Sequence, residues 1–149
     1  MTDKPEALAA RYGFDAQADV LRKYLLPCLG FSVGSPSDCP VGSSRFGGGP
    51  DIPASVAWPS SKDRPLDFLL QINLRDVVPH DTASRFPRAG LLSFFYDLSK
   101  QPWGFGPEDL DGHRIVFFPD DTKLERRAAA DTDFPLTQAP PNAGSRIVW

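Results

Sequence analysis

The chain has 149 residues, a net charge of −3 and 16 prolines, a length that fits one domain with a single core. A hydrophobic fraction of 41% with 11 phenylalanines fits a packed globular protein. The acidic balance argues against nucleic acid or an anionic membrane as a general partner and leaves a basic protein open. No run reaches the ~20 apolar residues of a membrane span, and MTDKPEALAARYG lacks the basic-then-apolar order of a secretory signal. A cytoplasmic, reducing setting is therefore expected, in which Cys28 and Cys39 act as small buried hydrophobes rather than a disulfide.

Helical spacing runs from Pro5 to Leu26 and breaks at Gly13. Asp15 is placed to cap the second helix, and Val20, Leu21, Tyr24 and Leu25 fall on one face that would pack on a sheet. Pro27 ends it. Cys28 to Val33 reads as a short strand, and Gly34 to Ser44 as turn chemistry rich in Ser, Pro and Gly. From Phe46 to Ser61 the chain should form ordered loop, because Phe46, Ile52, Val56 and Trp58 carry apolar surface that favours burial.

Phe68 to Leu74 alternates, which predicts a strand with Phe68, Leu70, Ile72 and Leu74 facing the core and Leu69, Gln71 and Asn73 facing out. Leu91–Tyr96 and Arg114–Phe118 predict two more strands, and Thr122–Ala130 a weak helix. The stretch from Asp131 is proline-rich and closes on Arg146, Ile147, Val148 and Trp149, apolar enough to dock as a strand or against a partner. The expected class is α+β within a single domain, residues 1–149. Its N-terminal helices pack on a small, mainly antiparallel, curved sheet with long Pro/Gly-rich loops.

Motifs that carry chemistry fail when tested. Gly42-Ser-Ser-Arg-Phe-Gly47 has the glycine spacing of a phosphate loop, but Gly48 and Gly49 stand where lysine and a hydroxyl residue are needed. Gly104-Phe-Gly106 begins like a dinucleotide fingerprint, but Pro107 and Asp109 break it. Setting Gly112 at the glycine of a calcium loop puts Pro107 and Phe118 at the first and last ligand positions, where neither supplies a side-chain oxygen. His80 and His113 are the two histidines, without the paired Cys or His spacing of a zinc site. Neither cysteine has the basic or helix-start setting of a nucleophile. No catalytic residue, cofactor or metal is expected.

Two constellations remain. Asp97, Glu108, Asp109, Asp111, Asp120 and Asp121 outnumber Lys100 and Arg114, and Trp103 and Phe105 lie among them. Acid with embedded aromatics suits a surface that meets a basic protein. The alternative is a small-ligand-binding protein or an enzyme without a recognisable motif, its site for a carboxylate or phosphate where Arg45, Gly47 and Gly48 meet Trp58 and the amides Gln71 and Asn73.

A series of short blocks also comes in order: Ser44-Arg-Phe-Gly-Gly48, Pro50-Asp-Ile-Pro53, Trp58-Pro59, Pro65-Leu66, Phe68-Leu-Leu-Gln-Ile-Asn-Leu74 and Gly90-Leu-Leu-Ser-Phe-Phe95. Over residues 28–118 the chain resembles the YwqG-like family, a bacterial domain of unknown function. The resemblance implies an α+β fold with curved antiparallel sheets and long loops. It brings no established reaction, cofactor or catalytic residue. Some members lie near toxin systems, which implies an immunity (antitoxin) role as one expectation, and members are typically longer, the resemblance fading here after Phe118.

Overall fold

A computed structural model describes residues 5–24, 28–128 and 143–149. Two short helices come first, α1 (Pro5–Arg11) and α2 (Ala18–Tyr24), joined through a 3-10 turn at Asp15–Gln17. Gly13 takes φ +74° at the predicted break, a backbone region that glycine enters without a Cβ penalty. Asp15 opens the 3-10 turn, whose capping residue is Phe14, and so lies three residues before the start of α2 rather than at its capping position. The helices pack on each other, and Arg22 bridges Glu6 at 2.5 Å and Asp19 at 3.0 Å. Val20, Leu21 and Tyr24 stand exposed rather than seated on a sheet, and Ala9 is the one buried side chain among described residues 5–24. Leu25, Leu26 and Pro27 lie outside the described residues.

The sheet has six strands: β1 (Ser32–Asp38), β2 (Arg45–Phe46), β4 (Asp67–Asn73), β5 (Leu91–Tyr96), β6 (His113–Phe118) and β8 (Ala143–Val148). Their order is β1-β8-β2-β4-β5-β6, and every neighbouring pair is antiparallel. A separate ribbon pairs β3 (Asp51–Ile52) with β7 (Glu125–Arg126). Helix α3 (Leu74–Val77) follows β4 directly, with Asn73 Oδ1 accepting from the Arg75 N–H as its cap.

Several elements differ from the sequence expectation. Strand β1 occupies Ser32–Asp38, most of which reads locally as turn. It is an edge strand, and its register shifts between Val33 and Pro36. A proline at an irregularity on an edge removes no needed donor, so turn-forming residues are tolerated there once β8 supplies the partner. Part of the expected loop 46–61 contributes the two-residue strands β2 and β3. Residues 122–128 hold β7 and no helix, while residues 129–142 lie outside the described residues. Cys39 is buried as expected, but Cys28 is exposed.

The most consequential difference is in β4. Phe68 pairs with Phe95, yet Leu70 pairs with Phe94, so Leu69 is an extra residue in the ladder. Such a bulge breaks the period of two. The Leu69 carbonyl is not wasted, because it accepts the Gly47 N–H at 2.8 Å. Gly47 sits at φ +70°, which favours glycine at this close approach.

Beyond the bulge the faces exchange. Phe68 shares the inner face with Phe95, Gln71 and Ser93, while Leu70, Ile72, Leu92 and Phe94 turn to the outer one. The core on the inner face comprises Ile52, Leu66, Phe68, Leu91, Phe95 and Phe118, closed by Val56, Trp58, Val116 and Leu124. Burying each large apolar side chain there contributes roughly 1.5–3 kcal/mol. The strand at Phe68 is therefore where the alternation predicts it, and its apolar residues are divided between two faces.

Candidate functional site

A buried charge cluster lies beneath the inner face. Arg45 on β2 and Asp51 on β3 are both wholly buried. Asp51 accepts from Arg45 at 3.3 Å, from Arg126 at 2.9 and 3.2 Å, from the Gly42 N–H at 2.8 Å and from Gln71 at 2.6 Å. Gln71 Oε1 in turn accepts the Asp51 N–H at 2.9 Å. Arg126 also donates to the Cys39 and Pro40 carbonyls at 2.6 and 3.1 Å. Burial alone pushes the Asp51 carboxyl up, but the hydrogen bonds from Arg126, Gly42 and Gln71 and the charge of Arg45 outweigh it, leaving it below its ordinary value.

These contacts decide where the residues suggested for a ligand site stand. Gln71 is buried, not on an outward face, because the bulge at Leu69 turns it inward. Asn73 gives its amide to the Gly42 carbonyl at 2.8 Å while capping α3. Trp58 donates to the Leu66 carbonyl at 2.8 Å and stacks edge-on against Phe95. Gly47 and Gly48 are buried with positive φ. Asn73 also borders a polar hollow of about 670 Å³ with Ser44, Asp76 and Arg146. The fold thus brings Arg45, Gln71 and Asn73 into one region, where their described polar contacts tie β2, β3, β4 and β7 together.

A second buried cluster anchors the base of the loop between β5 and β6. Arg64 Nη1 donates to Asp67 at 3.1 Å and to Asp97 at 2.9 Å, both carboxylates being fully buried. Asp97 further accepts the N–H groups of Ser99 and Lys100 at 3.1 and 2.9 Å, and its own N–H goes to the Gly112 carbonyl. Burial raises the Asp97 carboxyl, but the Lys100 N–H and Arg64 more than offset this and hold it below its usual value. Asp51 and Asp97 therefore both bind protons more weakly folded than unfolded. Their stabilisation is complete above the ordinary aspartate pKa of about 3.9 and is lost as pH falls through the depressed values. Urea midpoints measured between pH 7 and pH 3 should be flat at first and drop below about pH 4, and Asp51→Asn should make that drop shallower.

The loop itself presents the aromatics. Trp103 is 86% and Phe105 91% exposed. The backbone between and after them is tied down, because Asp109 Oδ2 accepts the N–H groups of Gly104, Phe105 and Gly106 at 2.8, 3.1 and 3.5 Å. Gly104 turns the chain at φ +79°. Tyr96 fixes the Pro102 carbonyl at 2.8 Å, and Arg114 reaches the Leu110 carbonyl at 3.1 Å. Asp109→Ala should leave the global midpoint within about 1 kcal/mol while speeding amide exchange at residues 104–106, read by hydrogen–deuterium exchange. Unchanged exchange there would remove Asp109 from this role.

The acids expected to form one patch are divided by the sheet. Glu108, Asp109 and Asp111 lie on the loop before β6, whereas Asp120 and Asp121 follow its far end. Five residue steps of about 3.3 Å separate the two groups by roughly 17 Å along β6. Asp120 is also engaged, pairing with Arg75 at 2.5 Å, and Asp111 accepts the Lys62 N–H at 3.2 Å. Glu108 is exposed on the same loop as Trp103 and Phe105. Sequence reasoning missed Ile115 and Phe117, which stand 60% and 44% exposed on the outer face of β6. Their signal was the unbroken apolar run of that strand, which hides which side meets solvent.

A six-stranded antiparallel sheet with one covered face, short helices and an ordered aromatic loop defines an α+β domain. The chain belongs to the family described as a domain of unknown function, DUF1963, which it matches over residues 44–146. The match continues past Phe118 into β8, the strand that sits between β1 and β2 in the sheet. No curated protein matches the chain. Among the described residues no helix is long and apolar enough to cross a membrane, and no group of three or more His, Cys, Asp or Glu side chains is placed to hold a metal ion.

Proposed function

We propose that this is a non-enzymatic protein-binding module, YwqG-like in its finer classification, acting in the cytoplasm on a basic protein partner. One observation carries the reading: Trp103 and Phe105 project almost fully into solvent from a loop whose backbone Asp109 holds in place. Exposing two large aromatic rings forgoes the stabilisation their burial would contribute. A preorganised loop also lowers the ordering cost of association. Rigid aromatic anchors with a nearby acid, Glu108, suit the centre of an interface with a basic surface. Ile115 and Phe117 are further exposed apolar side chains, on the strand that this loop leads into.

Within this reading an immunity protein that occludes a toxin is the partner relationship we favour, because a basic enzyme offers the complementary charge. Capture from cells that naturally express the protein tests it, comparing the unaltered chain with Trp103→Ala/Phe105→Ala. A basic protein recovered in stoichiometric amount with the first and lost with the second supports the proposal. The same proteins recovered with both would overturn it.

A further inference from the structure

A hollow of about 410 Å³ lies on the outer face of the sheet, and Arg45, Asp51, Gln71 and Arg126 are not part of its lining. Its floor is Ile72, sent outward by the bulge at Leu69, with Leu92 and Phe94, which the regular alternation of β5 places on the same face. Leu74 and Val77 of α3 form one wall, and the loop leading to β5 arches over it. Asp81 folds that loop by accepting the Phe86 N–H at 2.9 Å. Ser84 takes φ +50°, a backbone region that costs a non-glycine residue energy and persists only where the surroundings impose it.

Arg85 and Trp149 are the donor-only side chains of its lining, beside Cys28, His80, Asp81 and Thr82. Trp149 lines it with its indole stacked on His80, 6.4 Å between ring centroids and 24° apart. Trp149 Nε1 is buried and has no acceptor in the structure, whereas buried polar groups are nearly always hydrogen-bonded. Arg85 stands at the mouth and makes no ion pair with a described residue. Of the acidic side chains, Asp81 alone lines the hollow, and one of its oxygens is engaged by the loop. An apolar floor with a cation at the rim is the chemistry that receives a small organic acid.

We propose that this hollow binds a small apolar molecule bearing a carboxylate, its hydrocarbon part on Ile72, Leu92 and Phe94 and its acid toward Arg85. The volume falls in the range of small-molecule sites and suits a ligand of about a dozen heavy atoms. This site is separate from the aromatic loop and does not depend on its role.

Titration of the ¹⁵N-labelled protein with 2-naphthoate tests it. Each of the three tryptophans contributes one indole N–H signal, and Trp149→Phe assigns the relevant one. The signal of Trp149 should shift saturably with a Kd of about 0.1–1 mM, ordinary for a ligand of this size. Arg85→Gln should weaken binding about fivefold, the size of a solvent-shared ion pair. The neutral analogue 2-naphthylmethanol should be weaker by a similar factor. Ala83→Trp, at the exposed rim of the hollow, should block saturable binding in a protein that still folds. No shift of the Trp149 signal at several millimolar naphthoate would overturn the proposal. So would equal affinities for the acid and the alcohol, or an unchanged Kd in Arg85→Gln.

Discussion

Replacing Asp51 with alanine is expected to cost about 3–5 kcal/mol, the loss associated with removing one partner of a buried ion pair. The carboxylate is wholly buried and is the shared acceptor of Arg45, Arg126, Gln71 and the Gly42 N–H. Its removal takes away the counter-charge of Arg45, which remains buried, and releases contacts joining β2, β3, β4 and β7. Arg126→Ala offers a graded comparison, because its side chain is 9% exposed and part of its bonding goes to carbonyls at the surface. That change should cost less, about 1–3 kcal/mol. Urea denaturation of the two variants at pH 7 measures both. An Asp51→Ala cost no greater than that of Arg126→Ala would show that the cluster does not depend on its carboxylate.

The double substitution Trp103→Ala/Phe105→Ala should separate binding from stability. Both rings are close to fully exposed, so the folded chain should lose under about 0.5 kcal/mol. Binding should weaken by about 30-fold or more, since truncation of an aromatic anchor commonly costs about 2–4 kcal/mol. Calorimetric titration against the captured partner, beside a urea curve, reads the two effects independently. A variant that binds normally would take the anchors away from this loop. One that also unfolds easily would show that the rings support the fold.

How much of this was legible in the sequence varies with the range of the interaction. Strand β5 has the bounds that its residues predict, because its signal is local. The position of β4 was equally legible, but its faces were not. The bulge at Leu69 is fixed by a partner strand and by the distant Gly47 N–H, which no periodicity within Phe68–Leu74 encodes. Strand β1 was hidden for the opposite reason. Its residues favour turns individually, and β8, more than a hundred residues away, makes them a strand. The bridge between Asp51 and Arg126 spans 75 residues, and the sign of it in the sequence is an isolated Arg45 and Asp51 flanking a run of glycines.

The candidate surface was partly legible. Trp103 and Phe105 sit among glycines and acids, where burial is improbable, and both are exposed. The acids looked like one group because β6 is short in sequence, although an extended strand of that length carries Asp120 to the other end of the sheet. The hollow above Ile72 and Phe94 had no sequence signal at all. It exists because the bulge sends Ile72 outward beside Phe94 of β5 and a loop with a left-handed serine arches over them.

Hydrogen–deuterium exchange of the protein alone and bound to its captured partner tests the central claim most directly. The account predicts new protection in the complex confined to residues 103–110 and the adjoining strand β6, with the loop over the outer hollow, residues 80–86, unchanged. Protection centred elsewhere, with the amides of 104–106 exchanging alike in both states, would contradict it.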